Sequence, residues 1–212
     1  MLNILTEKLF QRGIQELIRR DLDLKMVIDK WGSPPFWTHD DGFPGIVLDI
    51  LSQQVSLESA KATFTKLERI SGVVDPEKFL LLDDKMLKKI GFSRQKMMYV
   101  RGVAHSTLKN ELNFDELKSL DDDQVRERLI SLKGIGGWTA NTYLLFALRR
   151  SDIWPSGDLA LIKAVYDVKD ITTVLSEQDI VNVTRKWKPW RSVAARILWH
   201  YYLKEHGRDS FL

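Results

Sequence analysis

The sequence predicts an all-α fold, and three observations predict it. Apolar residues recur at three- and four-residue spacing over 9–18, 46–55, 60–70, 97–108, 125–132, 139–148, 180–187 and 193–203, the period of a helix with one buried face. Alternating stretches rich in β-branched residues, the mark of strands, are few. Short breakers separate the periodic segments, and capping residues stand where helices would begin.

Taken in chain order, residues 1–30 read as helices that either cover a cleft or complete the fold. Gly32-Ser33-Pro34-Pro35 breaks the chain before 46–55. Residues 72–76 end the next segment, and there Asp75 supplies a cap while Pro76 suits the first helical position. Gly91-Phe92-Ser93 is a further break, with Ser93 opening a helix expected over 94–109. One helix ends near Ser131 and the next runs to about Arg149. Trp154-Pro155-Ser156-Gly157 then leads to Asp158 and a helical stretch over 159–167. Trp187 and Trp190 bracket Pro189 at the start of the last helix, positions that suit packing. With no repeat, low-complexity tract or long linker, residues 1–212 read as a single unit of two helical lobes around a central cleft. The hairpin lies within 121–149 and a functional loop within 151–160.

Composition narrows the chemistry. The 212 residues are 44% apolar and 29% charged, ordinary for a globular protein. No apolar run approaches the roughly 20 residues needed to span a bilayer, and residues 1–13 mix Glu7, Lys8 and Gln11 into apolar positions, unlike a signal peptide. The expectation is a soluble intracellular protein: cytoplasmic, at the nucleoid in a bacterium, nuclear in a eukaryote. Cysteine is absent, which removes disulfides, thiolate nucleophiles and Cys-ligated metals together. The four histidines, His39, His105, His200 and His206, show no paired spacing for a catalytic metal. A net charge of +3 permits nucleic-acid binding without demonstrating it.

The sharpest local feature is Leu132-Lys133-Gly134-Ile135-Gly136-Gly137-Trp138-Thr139-Ala140. Glycines on either side of one apolar residue allow a very tight connection between two helices, with Ile135 pointing inward. The amides of Gly134, Gly136 and Gly137 would gather at the next helix N-terminus, which attracts an anion such as a DNA phosphate. Lys133 and Thr139 could add contacts to it. A plain glycine-capped turn explains a bare Gly-Ile-Gly equally well.

Three segments together resemble the helix-hairpin-helix DNA glycosylases, of the 3-methyladenine-DNA glycosylase II type. Ile50-Leu51-Ser52-Gln53-Gln54-Val55-Ser56 resembles the segment that reaches into DNA. The hairpin followed by Trp154 through Leu161 resembles the hairpin and catalytic loop. Trp187-Lys188-Pro189-Trp190-Arg191-Ser192, leading to Trp199, resembles the helix flanking the base pocket, and Gly91 through Lys96 adds a weaker match. The resemblance covers roughly residues 43–202, in the family's order. Two departures stand out: the chain is too short for the N-terminal β-rich domain of some relatives, and Lys133 stands where the family often has Pro.

The resemblance implies a monofunctional enzyme that removes alkylated purines, of the 3-methyladenine and 7-methylguanine kind, from double-stranded DNA by base flipping. It would act as a monomer in base-excision repair. Asp158 would be the catalytic carboxylate, stabilising positive charge on the sugar and handling the attacking water; locally, an Asp before a helix is also an ordinary N-cap. Relatives that cleave the strand place a Lys where this chain has Trp138, so no Schiff base and no lyase step are expected. Trp138 and Trp199 would line the base pocket with Thr142 and Tyr143, and core packing is the competing reading for the aromatics. Gln53 or Gln54 would fill the gap left in the duplex, or else face solvent at a helix end. Some family members hold Na+ or K+ on hairpin carbonyls, and the matching residues are Ile130, Leu132 and Ile135; no other cofactor is expected. A glycosylase for another lesion class, or a non-catalytic DNA-binding module, remain the alternatives.

Overall fold

The computed structural model describes residues 4–207, so the first three residues of the N-terminal stretch read above lie outside it. Among the described residues the regular structure is helical, with one isolated antiparallel bridge between Ile4 and Arg150. The chain divides into two compact units, residues 1–38 with 149–212, and residues 39–148.

The first unit begins with α1 (Glu7–Arg20) and α2 (Leu22–Trp31). Thr6 caps α1, and Asp21 both follows α1 and caps α2 through the amides of Asp23 and Leu24. The chain then enters the second unit, formed by α3 (Gly42–Leu51), α4 (Leu57–Ser71), α5 (Pro76–Leu81), α6 (Asp84–Ile90), α7 (Arg94–Leu108), α8 (Phe114–Ser119), α9 (Asp122–Ile130) and α10 (Gly137–Thr142). A π-helical turn, Tyr143–Ala147, extends α10. The first unit resumes with α11 (Leu159–Val168), α12 (Glu177–Arg185) and α13 (Arg191–Glu205).

In the first unit α13 is the central post. Ser192 through His200 are all buried, so this helix is enclosed on every side rather than amphipathic. Phe10, Ile14 and Leu17 of α1, Leu24 of α2 and Leu161, Ala164 and Val165 of α11 bury against the same core. Gly13 permits the close approach of α1: a Cβ there would lie 2.9 Å from Val193 Cγ2 and 3.0 Å from the Trp190 ring. Two charged groups are buried with compensation. Burial alone would raise the Asp21 carboxyl, but hydrogen bonds from Lys169 and Trp187 win and hold it at about 2. The Arg196 guanidinium donates to the carbonyls of Trp37 and Ser192 beside Phe10 and Phe36, and burial pushes it down to about 9. Trp187 and Trp190 are structural, as their positions suggested: their indole N–H groups donate to Asp21 and Glu16.

In the second unit α3 is the buried element, with Phe43 and the run from Gly45 to Leu51 out of solvent. Its start is held by Tyr143, whose hydroxyl accepts the Gly42 amide at 2.9 Å. Below it, His39 and Asp49 form a buried pair at 3.3 Å. The helix expected over 46–55 ends earlier than its apolar pattern. Ser52 through Gln54 form a turn, and Gln54 takes a left-handed conformation (φ +57°) that stops helical propagation. Likewise the segment 139–148 is an α turn that widens into a π turn.

Candidate active site

Asp158 sits at the end of a loop fastened along its length. Asp152 takes the Arg191 guanidinium bidentately, at 2.8 and 3.0 Å, and its carbonyl accepts a third bond from the same side chain. The Ser192 hydroxyl accepts the Ile153 amide at 2.9 Å. Trp154 is buried against Trp187, with ring centroids 5.5 Å apart. Gly157 then turns the chain at φ +81°, a conformation that disfavours any side chain. This delivers Asp158 to the N-cap of α11, where Oδ1 accepts the Leu161 amide at 2.9 Å. The same oxygen lies 3.2 Å from Trp199 Nε1. One carboxylate oxygen is therefore spent on orientation by two fixed donors, the arrangement that keeps a reacting group in one rotamer.

Trp199 is 1% exposed, so its ring packs and its N–H edge reaches the carboxylate. The Asp152–Arg191 clamp and the Ser192 contact went unread in the sequence. An acid 39 residues before a basic side chain carries no periodic signal, and only the adjacency of Arg191 and Ser192 to the last helix start hinted at them.

The hairpin, in the second unit, uses its glycines differently. Gly134 has φ +92°, and a Cβ there would fall 2.1–2.3 Å from the Tyr99 ring, so both backbone and packing require glycine. Gly136 and Gly137 are exposed and a Cβ at either would meet nothing within 4 Å. Neither packing nor a positive φ explains them; what they leave is bare backbone at the start of α10, which no side chain caps. Ile135 points inward and is buried. Lys133 is exposed, and Trp138 is half-buried.

Other expected site residues are placed against the interior. The Thr139 hydroxyl, which the sequence offered as a phosphate contact, is buried and accepts Gln53 Nε2 at 2.9 Å. Thr142 turns its hydroxyl back to the Thr139 carbonyl, and Tyr143 is fully buried, its phenol raised far above its ordinary value by burial. Both side chains are buried. The two glutamines also separate. Gln53 donates to the Gly134 carbonyl as well as to Thr139, each at 2.9 Å, whereas Gln54 is exposed in its left-handed turn. Of the three carbonyls matched to a monovalent cation, that of Leu132 accepts the Ile135 amide at 3.1 Å. Ile130 is exposed at the end of α9.

Gly134 sits in a turn that requires glycine, bare backbone opens α10, and Asp158 is buttressed at the start of α11. Residues 47–189 match the HhH-GPD superfamily of base excision DNA repair proteins. The chain belongs to this superfamily. It is 27% identical over 158 residues to DNA-3-methyladenine glycosylase 1 of Schizosaccharomyces pombe, covering 73% of this chain and 69% of that protein. A solved DNA-3-methyladenine glycosidase from Bacillus halodurans is similar at TM-score 0.75 and 26% identity, covering 94% of this chain and 93% of that one. An 8-oxoguanine glycosylase/lyase from Clostridium acetobutylicum, solved with double-stranded DNA, shares the HhH-GPD fold at TM-score 0.79 and 20% identity, over 93% of this chain and 71% of that one. The fold thus extends over proteins of different named specificity.

Proposed function

We propose that the protein is a monofunctional DNA glycosylase that hydrolyses the N-glycosidic bond of alkylated purines in double-stranded DNA. The observation that carries the reading is Asp158, held at the N-cap of α11 by the Leu161 amide and the Trp199 indole. As the bond between C1′ and the base nitrogen breaks, positive charge grows on the sugar, and a fixed carboxylate opposes it at no reorganisation cost. Water adds to C1′, its proton passing to the carboxylate, and the base departs with the bonding pair.

Trp138 supports the subclass. An indole cannot form the Schiff base that a lysine forms, so hydrolysis ends at an abasic site with the strand intact. The half-buried ring of Trp138 suits a cationic alkylated purine, a contact worth up to about 2 kcal/mol when desolvated. Flipping such a base leaves a gap that Gln54, exposed at the apex of its turn, fills. Lys133 and the amides of Gly134, Gly136 and Gly137 hold a backbone phosphate. Na+ or K+ on the carbonyls of Ile130, Leu132 and Ile135 would add positive charge at the hairpin and stiffen it. The names of the relatives, DNA-3-methyladenine glycosylase and glycosidase, support the substrate class.

The test is mass spectrometry of bases released from methylated genomic DNA. Release of 3-methyladenine and 7-methylguanine without strand breaks supports the reading. Release of neutral oxidised or deaminated bases alone would replace the substrate class, and a borohydride-trapped adduct would overturn the monofunctional assignment.

A further inference from the structure

The turn that carries Gln54 is held from two sides. Leu51 is the last residue of α3, and its carbonyl accepts Lys96 Nζ at 2.6 Å. Lys96 is half-buried, and burial alone lowers its pKa, with no carboxylate contributing. An ammonium aimed at a helix C-terminus is favoured by the orphan carbonyls and the dipole there. On the other side of the turn, Gln53 spans the hairpin from the Gly134 carbonyl to the Thr139 hydroxyl. Tyr99, three residues after Lys96 and so on the same face of α7, closes against Gly134. The contacts form a ring: α7 to the end of α3, through Gln53 to the hairpin, and back to α7. Gln54 stands outside the ring, exposed and strained at φ +57°.

We infer that Lys96 and Gln53 are positioning residues, a two-point lock that fixes the Gln54 turn to the phosphate-binding hairpin so that wedge insertion and backbone grip occur in one register. The inference rests on the reading of Gln54 as the wedge. A lysine in a DNA-binding protein is ordinarily assigned to a phosphate, and here geometry assigns it to the protein's own backbone instead. The lock acts on insertion, so its loss reduces flipping and the rate of base release while leaving the electrostatic part of DNA binding in place.

The experiment compares Lys96→Met, Gln53→Ala and the double variant with wild type on a short duplex carrying a tetrahydrofuran abasic site flanked by 2-aminopurine. Fluorescence reports unstacking, and affinity is measured across salt concentrations. The lock predicts that each single variant loses most of the fluorescence change and releases methylated bases on the order of tenfold more slowly. The double variant falls little further, because both residues hold one turn. The dependence of log Kd on log salt stays unchanged for Lys96→Met. A slope reduced by about one would make Lys96 a phosphate contact and overturn the proposal. Unaltered fluorescence in both single variants would overturn it too. If Lys96→Met does not fold, Gln53→Ala alone carries the test by the same fluorescence criterion. A wild type that unstacks the probe yet releases no base from methylated DNA refutes the glycosylase reading and leaves the lock standing; one that does not unstack it refutes the lock.

Discussion

The indole N–H of Trp199 and the amide of Leu161 converge on one oxygen of Asp158, at 3.2 and 2.9 Å. The first comes from α13, the buried post of its unit, so the orientation of the carboxylate is set by core packing rather than by the loop alone. Trp199→Phe keeps an aromatic ring in the core and removes the donor. A hydrogen bond to a charged group is worth about 1.5–3 kcal/mol, so single-turnover base release should fall roughly tenfold or more. Unchanged release would show that the Leu161 amide is enough to orient Asp158.

The hairpin glycines are predicted to fail in different assays. Gly134→Ala meets both a left-handed backbone, costing about 1–2 kcal/mol, and overlap with Tyr99, costing about 1–3 kcal/mol more. The denaturation midpoint should drop accordingly. Gly136→Ala fills open space at the cap of α10 and should cost less than about 1 kcal/mol. Its effect belongs in DNA affinity, because a methyl group would stand over the exposed amides. A Gly136→Ala protein with wild-type affinity would remove the phosphate role from that end of the hairpin.

Gln54 offers a change that separates stability from function. Glycine suits its φ of +57°, so Gln54→Gly should match or exceed wild-type stability. The wedge is then gone, and base release should fall at least about tenfold. Thermal melts and single-turnover rates on the same preparation decide it.

The buried His39–Asp49 pair makes stability depend on pH. Burial alone would lower the histidine pKa, but the charge and hydrogen bond of Asp49, with the Asp40 carbonyl, raise it above its ordinary 6.5. The folded state therefore holds the proton more tightly than the unfolded chain. The pair's contribution is complete below pH 6.5 and is lost as pH rises through the higher folded value. His39→Gln should flatten the stability profile over that window. An equally steep decline in the variant would assign the slope to another group.

Much of this architecture is legible in the sequence. Asp75 and Ser93 cap the helices they were expected to open, and Ile135 is the buried pin between two helices. These are local signals: a cap is set by one side chain and the amides beside it. α6 and α8, at 7 and 6 residues, are shorter than the window in which helical periodicity shows. The end of α3 was overrun because Val55 continues the apolar pattern, while the left-handed Gln54 that stops the helix has no compositional mark. Spacing put Thr142 and Tyr143 near Trp138, but it could not say that one hydroxyl returns to its own helix and the other is taken by Gly42. The role of Lys96 carries little sequence signal, since its acceptor is a backbone carbonyl and any residue at 51 would supply one.

Asp158→Asn tests the central claim most directly. Asparagine caps helices as well as aspartate, so the variant should fold, melt like wild type and bind DNA with similar affinity. Single-turnover release of methylated purines should disappear. Base release at the wild-type rate from that folded protein would contradict the assignment of Asp158 and the hydrolytic mechanism built on it.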